Sequence, residues 1–274
     1  MARHAKNISQ GNTATEHLGV GVLALCFPLQ KVTAIIAACD KADKRVRDLP
    51  AALMVYYVIA LNLFPGVAYQ SVLRWLLSGL QWLGNHQFRV ASKEALSNAR
   101  QRLGALPIQK LHEQMALPMA EKFLPGSYFK DMLLVAFDGS TLALQDTAAN
   151  AEEFGRSSNQ NGDSAWPLAR FVALVECGTH LIFAASLGGY KDSEMHLAKS
   201  LIPRLRKGML CMADRLFPGY EIWKQFAATG SHLLWRAKNS LPLERFDVLA
   251  DGSYLAKWLP KEERKKGSEP VIVR

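Results

Sequence analysis

The sequence contains few cysteines, and none of them forms a closely spaced pair. Disulfide scaffolds and zinc sites need clustered thiols, whereas the four cysteines of this chain are scattered: Cys26, Cys39, Cys177 and Cys211. A metal pair of Cys177 and His180 has no second pair to complete it. The spacing therefore favours buried, reduced thiols over a disulfide framework or a zinc module.

Long apolar runs are also missing. The longest, from Ala51 to Leu61, falls well short of the ~18–20 residues that span a bilayer. The apolar stretch near the N-terminus lacks the basic segment that a signal peptide carries directly before it. We therefore expect a cytoplasmic protein.

Acidic side chains are in the minority, with 24 Asp and Glu against 33 Lys and Arg, so the formal net charge is +9. Residues 1–130 hold 15 basic and 7 acidic side chains, and residues 131–274 hold 18 and 17. A local positive surplus suits a polyanion such as DNA, because neutralising phosphates releases counterions. Ordinary solubility charge accounts for the same composition equally well.

The 274 residues are 49% hydrophobic, which excludes a mainly disordered chain and indicates one large or two modest domains. From Glu16 to about Leu124, apolar residues recur at three- and four-residue steps, which predicts helices. One helix is expected over 69–80, one after Ser92 as its N-cap, and one from Leu106 to Phe123.

After Gly126 the pattern changes to short apolar strands that alternate with helices. Strands are predicted at 132–137, 171–176, 181–186, 209–213 and 232–235. Helices are predicted from about residue 193 to 205 and from Pro218 to 229, and a loop over 146–167. This order favours a mixed sheet covered by helices. The predicted fold class is α/β (α+β), with an all-helical domain over 1–126 and a mixed-sheet domain over 127–274.

Asp138 and Asp214 each follow one of the short apolar strands. Neighbouring strands lie about 4.8 Å apart, so carboxylates at the same end of two strands can converge on one point. Hard divalent cations prefer oxygen ligands, and two metals about 3.5–4 Å apart suit phosphoryl transfer. The alternative is that both aspartates only begin turns, which the pair Asp138-Gly139 favours.

The predicted helix from Ser92 to Leu103 is the best candidate for contacting DNA. Arginine binds phosphate or guanine, and Asn and Gln bind adenine edges. The candidate side chains on its polar side are Lys93, Asn98, Arg100, Gln101 and Arg102. The alternative is an amphipathic helix with a solvated polar face.

Several segments resemble DDE transposases of the insertion-element-four family. Residues 135–150, VAFDGSTLALQDTAAN, are similar to the family's first-aspartate motif, and residues 166–180, WPLARFVALVECGTH, to the hairpin that follows. Residues 209–223, MLCMADRLFPGYEIW, resemble the second-aspartate motif. Residues 46–104, which contain VYYVIALNLFPGVAY and SKEALSNARQRLG, resemble the N-terminal domain. The likeness therefore extends over most of the chain.

The resemblance implies a ribonuclease-H-like catalytic domain in which Asp138 and Asp214 bind Mg²⁺ or Mn²⁺. Water and then a 3′-hydroxyl would attack DNA phosphodiesters without a covalent protein intermediate. Arg215 would lie near substrate phosphate, with a surface ion pair as the equal alternative, and Arg170 could face DNA or form a structural salt bridge. Such proteins usually act as homodimers on double-stranded DNA, at the terminal inverted repeats of the element and at the target.

The family's third carboxylate is a Glu in the pattern Tyr-x2-Arg-x3-Glu-x6-Lys, and neither Tyr220 nor Tyr254 begins that pattern. Glu262, Glu263 and Glu269 lie in the charged segment KEERKKGSEP, which we expect to be a solvated loop. We therefore expect the catalytic domain to be truncated within its insertion. Loss of one catalytic residue removes on the order of several kcal/mol of transition-state stabilisation. We therefore expect little DNA cleavage or joining by this chain alone.

The leading hypothesis is a transposase of a bacterial insertion sequence, associated with the nucleoid through its DNA. One alternative is a non-catalytic DNA-binding protein, such as a transposition inhibitor derived from a transposase. Another is a structure-selective nuclease that works with two carboxylates.

Overall fold

The computed structural model describes residues 20–81, 91–159, 162–215, 217 and 219–274. The predicted opening of a helix by Pro218 lies outside the described residues. The chain divides into two compact units between Met115 and Ala116. We call the described residues before this point the helical unit and those after it the sheet unit. No helix in the described ranges is long and apolar enough to cross a membrane.

The regular secondary structure of the helical unit is helical throughout, as the apolar spacing predicts. The six helices of this unit are α1 (Val20–Cys26), α2 (Leu29–Ala38), α3 (Ala51–Leu63), α4 (Tyr69–Gln81), α5 (Lys93–Leu103) and α6 (Leu106–Met115). Their apolar sides enclose one core. Met54 and Tyr57 of α3 are fully buried in it, so α3 is central to the unit.

Helix α5 has the start and end that its sequence predicts. The Ser92 hydroxyl accepts a hydrogen bond from the backbone N–H of Ala95 at 3.2 Å, as an N-cap does. Gly104 follows the helix at φ +71°, a conformation that glycine adopts without strain. The inward side chains Leu96 and Leu103 are buried, so the opposite side faces solvent.

Helix α6 ends at Met115, so the prediction that it continues to Phe123 is wrong. Pro118 disfavours the helical conformation at Leu117, the residue before it, and has no N–H of its own. The next two N–H groups, those of Met119 and Ala120, donate to a side chain of the sheet unit instead.

The sheet unit contains eleven strands and four helices within its described residues. The strands are β1 (Tyr128–Phe129), β2 (Met132–Ala143), β3 (Ser158–Asn159), β4 (Gly162–Asp163), β5 (Leu168–Glu176), β6 (Ile182–Gly189), β7 (Met209–Ala213), β8 (His232–Trp235), β9 (Leu243–Val248), β10 (Tyr254–Trp258) and β11 (Val271–Val273). The helices are α7 (Ala148–Phe154), α8 (Glu194–Lys199), α9 (Tyr220–Ala227) and α10 (Lys261–Lys265).

The main sheet has the strand order β6-β5-β2-β7-β8, with β1 paired to β2. Strands β2, β5 and β6 are antiparallel, whereas β7 and β8 run parallel to β2. Buried side chains of α8 and α9 pack on one face and form a second core with the strands. The predicted arrangement, a helical region followed by a mixed sheet with helices, is confirmed. Strands β9 to β11 form a separate antiparallel sheet.

Strand β2 is twice as long as predicted, so the expectation that Asp138 ends a strand is wrong. The residues from Gly139 to Ala143 continue the antiparallel pairing with β5, up to the pair Ala143–Leu168. Partners for their backbone groups are thus available beyond Asp138, and the pair Asp138-Gly139 forms no turn.

Three further expectations need correction. The stretch 146–167 contains α7, whose first turn the Thr147 hydroxyl caps by accepting from Asn150 N–H at 3.2 Å, and the hairpin β3–β4. Helix α8 ends at Lys199 instead of Leu205, because Pro203 starts a separate 3-10 turn over 202–204. The charged segment near the C-terminus is partly helical, as α10.

A buried carboxylate ties the chain after α6 to the main sheet. Glu176, at the end of β5, is 0% exposed. Its Oε1 accepts hydrogen bonds from the backbone N–H of Met119 at 3.0 Å and of Ala120 at 2.8 Å. The Thr179 hydroxyl donates to the other oxygen. These bonds compensate the burial of the charge.

We predict that Glu176→Ala lowers the free energy of unfolding of the sheet unit by about 2–4 kcal/mol, because it leaves buried donors without an acceptor. Urea denaturation followed by circular dichroism measures the change. The matched control is Glu152→Ala on the exposed side of α7, with an expected effect within about 0.5 kcal/mol. Equal stability of the two variants would contradict this role of Glu176.

Candidate functional site

Asp138 and Asp214 are brought together by the parallel pairing of β2 and β7. The register pairs Phe137 with Ala213, so each aspartate stands one residue beyond that pair. Arg236 N–H donates to Ala213 O at 3.0 Å and continues the ladder at this level. Side chains at matched positions of adjacent strands project from the same face. The two carboxylates are therefore neighbours on one face of the sheet.

Both carboxylates face solvent and keep acceptor capacity. One oxygen of Asp138 accepts the N–H of Gly139 at 2.8 Å. The Asp214 side chain is 49% exposed, and its Oδ1 lies 3.7 Å from Nη1 of Arg236, a loose ion pair. Ionised carboxylates offer about four lone-pair sites each, so both can accept further ligands.

The face of the sheet opposite the aspartates is packed, and this packing holds the backbone from which the two aspartates project. Phe137, which precedes Asp138, and Phe217, which follows Asp214 by three residues, are each 1% exposed. Their ring centroids are 4.4 Å apart with an edge-to-face angle of 65°. The Phe217 N–H also donates to Asp214 O at 3.2 Å and closes the turn. The packed pair of Phe137 and Phe217 thus holds the backbone next to both carboxylates.

A basic cleft of about 510 Å³ lies next to Asp214. It is lined by Arg215, Arg236, Ala237, Lys238, Asn239 and Ser240. Because β7 and β8 are parallel and pair Ala213 with Trp235, Arg236 stands beside Asp214. No carboxylate in the described part of the chain forms an ion pair with Arg215, so the surface ion pair considered for it does not form there. Sequence reasoning missed Arg236 and Lys238, although their position directly after β8 was a signal.

Arg170 does not lie on the face of the sheet that carries Asp138. Pairing with Thr141 places it on the face of Phe137 and Gly139, opposite to that of Asp138. Its guanidinium lies 3.6 Å from Glu194 and 5.4 Å from the ring centroid of Tyr190. The geometry agrees with the salt-bridge alternative for Arg170.

No group of three metal-binding side chains occurs among the residues that the structure describes. Glu194 approaches the sheet at Gly139, on the face opposite Asp138. Glu263 binds Lys266 Nζ at 2.6 Å and the Ser268 hydroxyl at 2.8 Å, and these hydrogen bonds lower the pKa of its carboxyl. The strand register therefore places two of these carboxylates, Asp138 and Asp214, at the same level of adjacent strands.

On α5, the structure separates the predicted DNA-contacting side chains into two kinds. Four are exposed: Lys93, Asn98, Arg100 and Gln101. The guanidinium of exposed Arg100 lies 5.7 Å from the ring centroid of Tyr69. Arg102 makes polar contacts within the helical unit. Its Nη2 donates to Leu49 O at 2.7 Å, and its Nε lies 3.9 Å from Asp43. Contacts that the sequence did not suggest therefore use part of the hydrogen-bonding capacity of the Arg102 guanidinium.

Comparisons with known proteins find similarity to transposases. Residues 17–113 match the family described as insertion element 4 transposase N-terminal, which covers all of the helical unit except its last two residues. The helical unit is thus of the kind found at the start of such transposases.

Two curated relatives from Escherichia coli (strain K12) extend the likeness beyond this unit. Transposase InsG for insertion sequence element IS4 is 24% identical over 237 residues, which is 86% of this chain and 52% of the relative. Putative transposase InsZ is 25% identical over 211 residues, 76% of this chain and 68% of the relative. The chain spans about half the length of the first relative and two thirds of the second. The chain is thus similar to insertion element 4 transposases both in its helical unit and beyond it.

We predict that Arg102→Ala destabilises the helical unit by about 1–3 kcal/mol, because Leu49 O loses its donor and Asp43 a nearby cation. Urea denaturation measures this loss, with the exposed Gln101→Ala as the control at the neighbouring position. Unchanged stability of Arg102→Ala would show that its contacts to Leu49 and Asp43 contribute nothing to the fold.

Proposed function

We propose that this protein acts in DNA transposition as a metal-dependent transposase, with Asp138 and Asp214 as metal-binding catalytic carboxylates. The observation that carries this proposal is the parallel register that makes two exposed aspartates neighbours beside a basic cleft. The strand order of the main sheet supports the further proposal that this unit is ribonuclease-H-like, as the resemblance implies.

The donor set fits Mg²⁺ or Mn²⁺. Both ions prefer carboxylate oxygens, and Mg²⁺ is commonly held by one or two carboxylates together with water and substrate phosphate. Asp138 and Asp214 are exposed and supply such oxygens. When bound, the metal would supply Lewis-acid activation of the attacking oxygen and stabilisation of the leaving oxygen.

The residues around the carboxylates would bind and orient the DNA strand. Arg215, Arg236 and Lys238 offer donors for phosphate oxygens in the cleft next to Asp214. Phosphate contacts of this kind position a duplex without reading its sequence. Asp138 and Asp214, which follow or precede the packed residues Phe137 and Phe217 in the chain, would hold the metal ion on the face of the sheet. The cations of the cleft would bind the phosphodiester.

The partners proposed are the terminal inverted repeats of the element and the target DNA, bound as double strands by a homodimer. Exposed polar side chains of α5 such as Asn98 and Gln101 are suited to adenine edges in the major groove. The family and the basic surplus before residue 131 both support DNA as the partner.

We predict that Asp138→Asn and Asp214→Asn each weaken Mn²⁺ binding at least tenfold, because an amide has no net charge to offer the cation. Isothermal titration calorimetry measures the affinity without any need for activity. The control is Asp131→Asn, an exposed aspartate paired with Lys122. Equal Mn²⁺ affinity of all three variants and the parent would contradict the metal site.

We also predict little strand transfer by this 274-residue chain, because the described residues supply two carboxylates at this edge and two leave the metal geometry underdetermined. A strand-transfer assay with candidate terminal repeats and Mn²⁺ tests this expectation. Robust activity that Asp138→Ala abolishes would contradict it and establish two-carboxylate catalysis. DNA binding without Mn²⁺ binding would instead favour a non-catalytic DNA-binding protein.

A further inference from the structure

A basic groove of about 650 Å³ lies within the helical unit, between the loop that follows α2 and helix α5. Its wall on the loop side is residues 45–49, and its wall on the helix side includes Ser92, Asn98 and Arg102. We call it the loop groove. Three of its four charged lining residues are arginines, namely Arg45, Arg47 and Arg102, and the fourth is Asp48.

The conformation of the loop is stabilised by Asp43, a largely buried carboxylate that contacts several polar groups. Asp43 Oδ2 accepts the N–H of Ala51, the first residue of α3, at 2.6 Å. Its Oδ1 lies 3.2 Å from Arg47 Nε and 3.9 Å from Arg102 Nε. Together with the bond from Arg102 to Leu49 O, these contacts hold both ends of the loop against α5.

The crest of the loop, which is residues 44–46, carries positive charge and is not part of the hydrophobic core. Lys44, Arg45 and Val46 are exposed, with Val46 102% exposed. In the described ranges, no acidic side chain pairs with Lys44 or Arg45. The contacts of neighbouring Asp43 go to Ala51 N–H, Arg47 and Arg102 instead. Two exposed cations without an ion-pair partner among the described residues therefore stand on this loop, next to the exposed side of α5.

We infer that the crest of the loop and the loop groove beside it bind the phosphate backbone of duplex DNA. The contacting residues are Arg45, which lines the groove, and Lys44, its exposed neighbour on the crest. Arg102 acts as a positioning residue that holds the loop beside α5. The inference rests on the proposed DNA-binding function and deepens it, because it assigns the phosphate contacts to a loop outside the predicted helix.

The neighbouring side chains favour DNA over an acidic protein as the partner. Asn98 lines the same groove, and Gln101 lies one helical turn further along the exposed side of α5. Amide side chains next to phosphate-binding cations match the usual division between contacts that position a duplex and contacts that read its bases.

The test compares the salt dependence of DNA binding by the full chain and by the double variant Lys44→Ala/Arg45→Ala. The probe is a 30-base-pair duplex of random sequence, and fluorescence anisotropy gives the affinity over a series of salt concentrations. Each lost phosphate contact lowers the slope of log K against log salt by about 0.9. The expected decrease is therefore about 1.8, with an unchanged melting temperature because both side chains are exposed.

The control is Lys31→Ala/Arg74→Ala, which removes the same charges from exposed positions of α2 and α4 that belong neither to the crest of the loop nor to the groove lining. It should retain the slope of the parent, and Lys44→Arg/Arg45→Lys should restore it. If both alanine double variants change the slope equally, or neither does, the assignment to the loop groove is wrong while DNA binding stands. If the parent chain shows no DNA binding, the proposed function fails together with the groove.

Discussion

The parallel pairing of β2 with β7 is the constraint on which the candidate site depends. These strands are separated by more than sixty residues of the chain, yet their register places Asp138 and Asp214 at the same level. Phe137 and Phe217 pack edge to face behind them. A shift of the register by one residue would move one aspartate into the core face, so the aromatic packing and the strand pairing together determine where the carboxylates point.

Exposed positive charge is concentrated at two places, one in each unit, and each could bind a polyanion. In the sheet unit, Arg215, Arg236 and Lys238 surround a cleft beside Asp214. In the helical unit, Asp43 binds the groups that shape its loop and leaves Lys44 and Arg45 exposed. Exposed cations of this kind add little to stability, which leaves them available for phosphate groups.

Much of this architecture could be predicted from the chain itself, because apolar spacing reports local structure directly. The strands at 209–213 and 232–235 and the N-cap Ser92 are where the pattern placed them. The extension of β2 past Asp138 was missed because it depends on pairing with β5, a long-range contact. The same holds for Arg102 and Arg236, whose surroundings come from distant segments. Local periodicity carries no information about such contacts.

The central claim is that Asp138 and Asp214 form one metal site. Anomalous diffraction from crystals soaked in Mn²⁺ tests it most directly, since manganese scatters anomalously and its position is read without reference to activity. The account predicts a peak within coordination distance of a carboxylate oxygen of each aspartate. Peaks bound to only one of them, or located elsewhere on the molecule, would contradict it.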